Sequence, residues 1–207
     1  MSAFSAYPSF AFLFDGSSVS GRTHSYLTLL NLFWTEEDAA SALAAVRVAA
    51  RASAHIDGEL AALFREVHWR PNLVAATVMA LGYGSDRSLV ELWEAFERGT
   101  WVTPQLAVAA SLRDPAFADT AQRHIEHWST RVNWSRPGPE HGDPKNLSAL
   151  LYLCGLRPSC DEWLDGLVPS ATIQAALARD LTYDRGGRIA MDWLERIQRL
   201  GSVQREE

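Results

Sequence analysis

Proline is costly inside a helix and well suited to its first turn, where its missing N–H has no intrahelical bond to lose. In this chain it stands repeatedly at the front of an apolar run. Pro71-Asn72-Leu73-Val74-Ala75-Ala76 opens a run ending at Leu81-Gly82, and Pro104-Gln105-Leu106-Ala107-Val108-Ala109 opens another ending at Leu112. Pro144-Lys145-Asn146-Leu147-Ser148-Ala149 is a looser third copy, continuing to Cys154. Each run is apolar almost all the way round, the pattern of a helix buried by its neighbours. Amphipathic segments lie between them. Leu89, Trp93 and Phe96 form one stripe with Glu91, Glu94, Glu97 and Arg98 elsewhere on the same helix, and Phe117, Ala121, Ile125 and Trp128 form another. An all-α chain of alternating inner and outer helices is expected.

The flanking sequence fits that frame. Residues 1–20 are aromatic and serine-rich, and Phe10–Phe14 reads equally as a short strand or as an arm packed on the first helices. Helical spacing runs from about Thr23 to Trp34, and Thr35-Glu36-Glu37-Asp38 reads as an N-cap with acids at the positive end of the next helix. That helix, to Ala54, carries Arg47 and Arg51 four apart on what should be a solvated edge. Leu60, Leu63, Phe64 and Val67 mark another, ending near Trp69. Thr103 and Asp114 are expected to cap the helices opened by Pro104 and Pro115. Between Ser129 and Lys145 periodicity vanishes, so a long loop is expected there. Further helices are expected around Trp163, over Ser170–Leu181, and over Arg188–Leu200 with Ala190, Trp193, Leu194, Ile197 and Leu200 inward.

Pro71 and Pro104 are 33 positions apart and Pro104 and Pro144 are 40 apart, the loop absorbing the excess. Periods of this size mark helical solenoids, where stacking completes a core that one helix pair cannot close alone. Across residues 35–200 the alternation resembles HEAT-like repeats, which implies an α-solenoid of roughly eight to ten helices. The expected organisation is one domain over 1–207: an arm over 1–20, repeats over 21–200 and a flexible tail over 201–207. The resemblance also implies concave or edge surfaces that bind proteins and, in a minority, nucleic acid or small ligands. Fold alone does not assign a function.

Composition narrows the classes. With 207 residues, 47% of them apolar, the chain can bury a sizeable core. The net charge is −6, Lys145 is the only lysine, and no block of about five or six like charges occurs, which argues against the basic stripe that nonspecific nucleic-acid binding needs. No positive lead-in precedes the short run Phe10–Phe14, so no signal peptide is expected, and no apolar stretch of roughly 18 residues suggests a membrane span. Cys154 and Cys160 match neither redox nor zinc spacing. A cytoplasmic location follows as an expectation.

Catalytic patterns fall short. In His124-Ile125-Glu126-His127 the imidazoles are three apart, whereas the zinc-protease pattern needs four, and these read as surface histidines. Carboxylate pairs drawn from Asp57, Glu66, Glu91 and Glu94 are what any solvated helix face offers, no nucleophile elbow occurs, and Cys154 reads as core. Gly82-Tyr83-Gly84 lacks a phosphate-loop continuation, and Gly186-Gly187 reads as a turn. No catalytic residue, metal or cofactor is assigned.

What remains is surface. Most of the eight tryptophans read as wedges between helices; Trp101 and Trp134, beside a turn and a loop, read as interface anchors, with Arg136 and His141 as polar neighbours. Glu91, Glu94 and Glu97 form an acidic rim that would steer a basic partner. The favoured role is a non-enzymatic protein-binding domain, with a bacterial immunity protein that covers a basic toxin as the specific case. Two alternatives are an enzyme on a HEAT-like scaffold acting on a nucleobase or small ligand, which demands a tryptophan-lined pocket with a buried carboxylate, and a structural adaptor module.

Overall fold

The computed structural model describes residues 4–19, 21–32, 35–129, 144–155, 171, 174–176, 178 and 185–202. A 3-10 turn at Pro8–Phe10 and a short α1 (Phe12–Asp15) lead into a two-strand hairpin, β1 (Ser18–Val19) against β2 (Arg22–Thr23). Then come α2 (Tyr26–Asn31), α3 (Glu36–Ala52), α4 (Ile56–Arg65), α5 (Trp69–Ala80), α6 (Asp86–Arg98), α7 (Thr103–Arg113), α8 (Phe117–Ser129), α9 (Pro144–Gly155) and α10 (Gly186–Ser202). The described residues are thus overwhelmingly helical.

The three proline-opened runs are α5, α7 and α9. Pro71, Pro104 and Pro144 fall within their first turns, and residues 71–79 and 103–111 are buried without a break. Their neighbours explain why. The three helices lie side by side in that order; α4, α6 and α8 pack on them from one side, while α2, α3 and α10 provide the other cover. A helix enclosed in this way has no face left for polar side chains.

The N-terminal segment is helical rather than a strand, and its Tyr7, Phe10 and Leu13 are buried in the common core. Glu59 holds it there. Its carboxylate, 6% exposed, accepts from Ser9 N at 3.0 Å, from Ser9 Oγ at 2.7 Å and from Ser53 Oγ at 2.7 Å. Thr35 caps α3 as expected, its Oγ1 accepting from Asp38 N at 3.1 Å.

Several expectations are corrected. Arg47 is not on a solvated edge: its Nη2 donates to Gly201 O near the end of α10, while Arg51 is exposed and donates to the Tyr83 hydroxyl. Helix α4 stops at Arg65 and Trp69 opens α5, because Asn72 Nδ2 gathers the carbonyls of Leu63, Glu66 and His68 and closes the turn between them. Thr103 does not cap α7; it lies inside the helix and its hydroxyl turns back to Thr100 O. Gly186-Gly187 is no turn but the start of α10, pressed so close to α9 that a Cβ on Gly187 would come within 2.3 Å of the Tyr152 ring. The expected loop over 130–143, the helix around Trp163, and most of Ser170–Leu181 lie outside the described residues.

Among the described residues, no helix is long and apolar enough to cross a membrane.

Candidate functional site

Helices α6 and α8 belong to the outer cover, and large rings fill the space between them. Trp93 of α6 lies parallel to His124 of α8 at a centroid distance of 5.0 Å and to Phe117 at 6.1 Å, while Phe96 stacks on Trp128 at 5.2 Å. Asp114 fixes this arrangement from the α7–α8 turn: Oδ2 accepts from Trp93 Nε1 at 2.9 Å and Oδ1 from Ala116 N at 2.8 Å. It therefore supports the turn that leads into α8, which starts at Phe117 rather than at Pro115 as expected, and also sets the indole of its neighbour.

Above these rings runs a groove of about 760 Å3, lined by Val90, Trp93, Glu94 and Glu97 of α6 and by Thr120, Arg123, His124, His127 and Trp128 of α8. That is the size of a small-ligand cleft or of a trough for a few side chains of a partner. Its floor is aromatic and its walls carry charge. Glu94 and Glu97 are exposed, and so is the apolar Val90, at 58%. Opposite them, Arg123 is turned back along its own helix, Nε donating to Asp119 O and Nη2 to Thr120 Oγ1. The carboxylates are left as the forward-facing charges.

His124 is the site's unusual group. It is 9% exposed, ringed by Trp93, Phe96 and Trp128, with Nε2 3.8 Å from Glu97 Oε1. Burial, reinforced by the positive charge of Arg123 and by His127, holds its pKa down at about 4. The ring is therefore neutral near pH 7 and does not cancel the adjacent carboxylates. The reading of both histidines as surface residues is corrected for this one; His127 is exposed.

The residues singled out in the sequence separate. Glu94 and Glu97 flank the groove together. Glu91 does not join them: its side chain is 8% exposed and is held in an ion pair by both Nε and Nη2 of Arg65 across the α4–α6 contact. It faces a neighbouring helix and is withdrawn from any steering rim. Trp101 is 59% exposed and stands at the edge where α5, α7 and α9 begin, against Trp69 at 5.0 Å and beneath Lys145, whose Nζ lies 5.2 Å from its ring centroid. Trp134, Arg136 and His141 lie outside the described residues. Sequence reasoning missed Val90, Trp93, His124, His127 and Trp128 as groove residues. The available signal was the four-residue spacing of His124 and Trp128, which places the imidazole on the same face of α8 as an indole read as core.

Among the described residues the two buried carboxylates, Glu59 and Glu91, lie away from the groove and are committed to Ser9 and Ser53 and to Arg65. Among the described residues, no three His, Cys, Asp or Glu side chains come together as a metal site. Cys154 is buried in α9, and Cys160 lies outside the described residues. Comparison with protein families, with curated proteins and with solved structures finds no match to this chain.

Proposed function

We propose that this chain is a non-enzymatic, HEAT-like helical-repeat domain that binds another protein, receiving a basic segment of its partner in the groove between α6 and α8. The observation that carries the reading is the pairing of exposed Glu94 and Glu97 with an aromatic floor whose only buried imidazole is neutral. A cationic side chain entering there meets two carboxylates and apolar surface at once, the combination that gives both steering and a desolvated anchor. What supports the repeat is the ordered succession of pairs α4/α5, α6/α7 and α8/α9, with their inner members side by side. Helix α10 folds back over α7 and α9, so the groove on the outer helices, rather than a concave inner face, is the surface on offer.

The specific case we favour is a cytoplasmic bacterial immunity protein that neutralises a basic toxin by covering it. The test is co-expression with the protein encoded beside it, followed by purification and a survival assay. A stoichiometric complex with protection of the host is the expected result. Glu94→Lys/Glu97→Lys should weaken the complex by about tenfold or more, mainly through slower association at low salt. A double reversal that leaves both affinity and protection intact would remove the groove from the argument, and absence of any complex or protection would remove the function.

A further inference from the structure

A second pocket, of about 390 Å3, opens where α5, α7 and α10 end. Arg47 and Arg113 supply its charge, and Ala80, Leu81, Leu112 and Ile197 its apolar wall. Both guanidiniums are tied to backbone, Arg47 Nη2 to Gly201 O and Arg113 Nη2 to Gly84 O at 3.1 Å. Arginines beside helix C-termini complement the helix dipoles, and that alone would account for their presence. It does not account for Arg113 Nε, which is buried with no hydrogen-bond acceptor among the described residues. A guanidinium offers five donors in a fork that matches a carboxylate, and leaving a buried one unused is unfavourable.

We propose that this pocket binds a small organic monocarboxylate, its anionic end on Arg113 and Arg47 and its short apolar body against Leu81, Leu112 and Ile197. The volume is at the lower end of the roughly 300–1,000 Å3 common for small-molecule sites. The carbonyl-bearing ends of α5, α7 and α10 place partial negative charge around it, which tolerates one compensated anionic charge and opposes the second charge of a phosphate. The apolar wall likewise favours a ligand with a hydrocarbon portion. This site is independent of the α6–α8 groove.

The test uses the full chain and three probes at matched ionic strength: sodium hexanoate, sodium phosphate and sodium chloride, followed by amide chemical shifts. Hexanoate should give saturable shifts centred on Gly82, Leu112 and Gly201, and Arg113→Gln should weaken it by about tenfold or more, the size expected for losing a charge-assisted hydrogen bond. Arg47→Gln serves the same purpose if Arg113→Gln does not fold. Lack of saturation, an equal response to phosphate or chloride, or unchanged affinity in the variants would overturn the proposal.

Discussion

Acid should destabilise this protein through His124 before its carboxylates matter. The folded-state pKa is about 4 because of burial, whereas an unfolded chain holds its histidines near 6.5. Between those values the unfolded state binds the proton and the folded state does not, so stability rises with pH across the window and is lost as pH falls through it. Linkage over the interval from about pH 7.5 to pH 5 amounts to about 2 kcal/mol. Glu97, 3.8 Å from Nε2, pulls the other way; its side chain is 63% exposed, so solvent weakens that pull and about 1–2 kcal/mol is the expected loss. The groups that face the ring from α6 and α8 are Glu97, Arg123 and His127, and none of them moves with His124→Phe, which keeps a ring between Trp93 and Trp128. Asp57, held below the usual carboxylate range by its bond from Ser88, contributes stability that is lost only at lower pH, as acid reaches its folded-state value. Urea unfolding at a series of pH values reads the difference directly: wild type should fall more steeply than His124→Phe between pH 7.5 and 5. Parallel curves, or a ring titrating near 6.5 by NMR, would refute the reasoning.

Three further substitutions test the packing. Arg65→Ala leaves Glu91 buried without its partner and should cost about 1–3 kcal/mol, discounted from fully buried pairs because Arg65 is 64% exposed; Glu94→Ala on the same helix should stay within about 0.5 kcal/mol, and equal effects in denaturation would contradict the assigned positions. Gly187→Ala drives a Cβ into the Tyr152 ring and should cost at least about 1–3 kcal/mol by urea unfolding, with a smaller penalty in the Tyr152→Ala background; identical penalties in both would rule out the clash. Glu59→Ala strands three donors on Ser9 and Ser53 and should lower stability by about 2–3 kcal/mol while speeding proteolysis before residue 16; unaltered cleavage there would show that this carboxylate does not tether the N-terminal segment.

The inner helices were legible because their signal is local: nine consecutive buried positions in α5 or α7 leave no polar face to misread, and proline marks the start of each. The amphipathic helices gave their apolar stripes but not the partners of their charges. Glu91 and Glu94 are three apart and look alike in sequence; only the position of Arg65 on α4 withdraws one and leaves the other exposed. His124 failed in the opposite direction. Beside Arg123 and Glu126 it reads as surface, and its burial depends on the rings of Trp93 and Phe96 arriving from a different helix. Gly186-Gly187 illustrates the same limit, since a paired glycine fits a turn and a close helix contact equally well until the opposing Tyr152 is known.

These placements also bear on the proposed protein-binding surface. The inner helices are enclosed, α10 occupies the surface beside α7 and α9, and Arg47 and Arg113 are tied to the ends and turns of the inner side. The outer cover is the surface that the proposed protein partner would meet, and along it α6 presents its features in sequence: Val90, then Glu94, then Glu97, and beyond Gly99 the exposed indole of Trp101. Carboxylates in the last turn of a helix are unfavourable for that helix, because they lie at the negative end of its dipole. Glu97 has that disadvantage and no ion pair with a permanent cation among the described residues; the nearest imidazole, His124, is held neutral. Among the described residues Glu97 thus keeps its charge without a permanent counter-cation beside the aromatic floor of the groove, and that is the charge the proposed basic partner would meet.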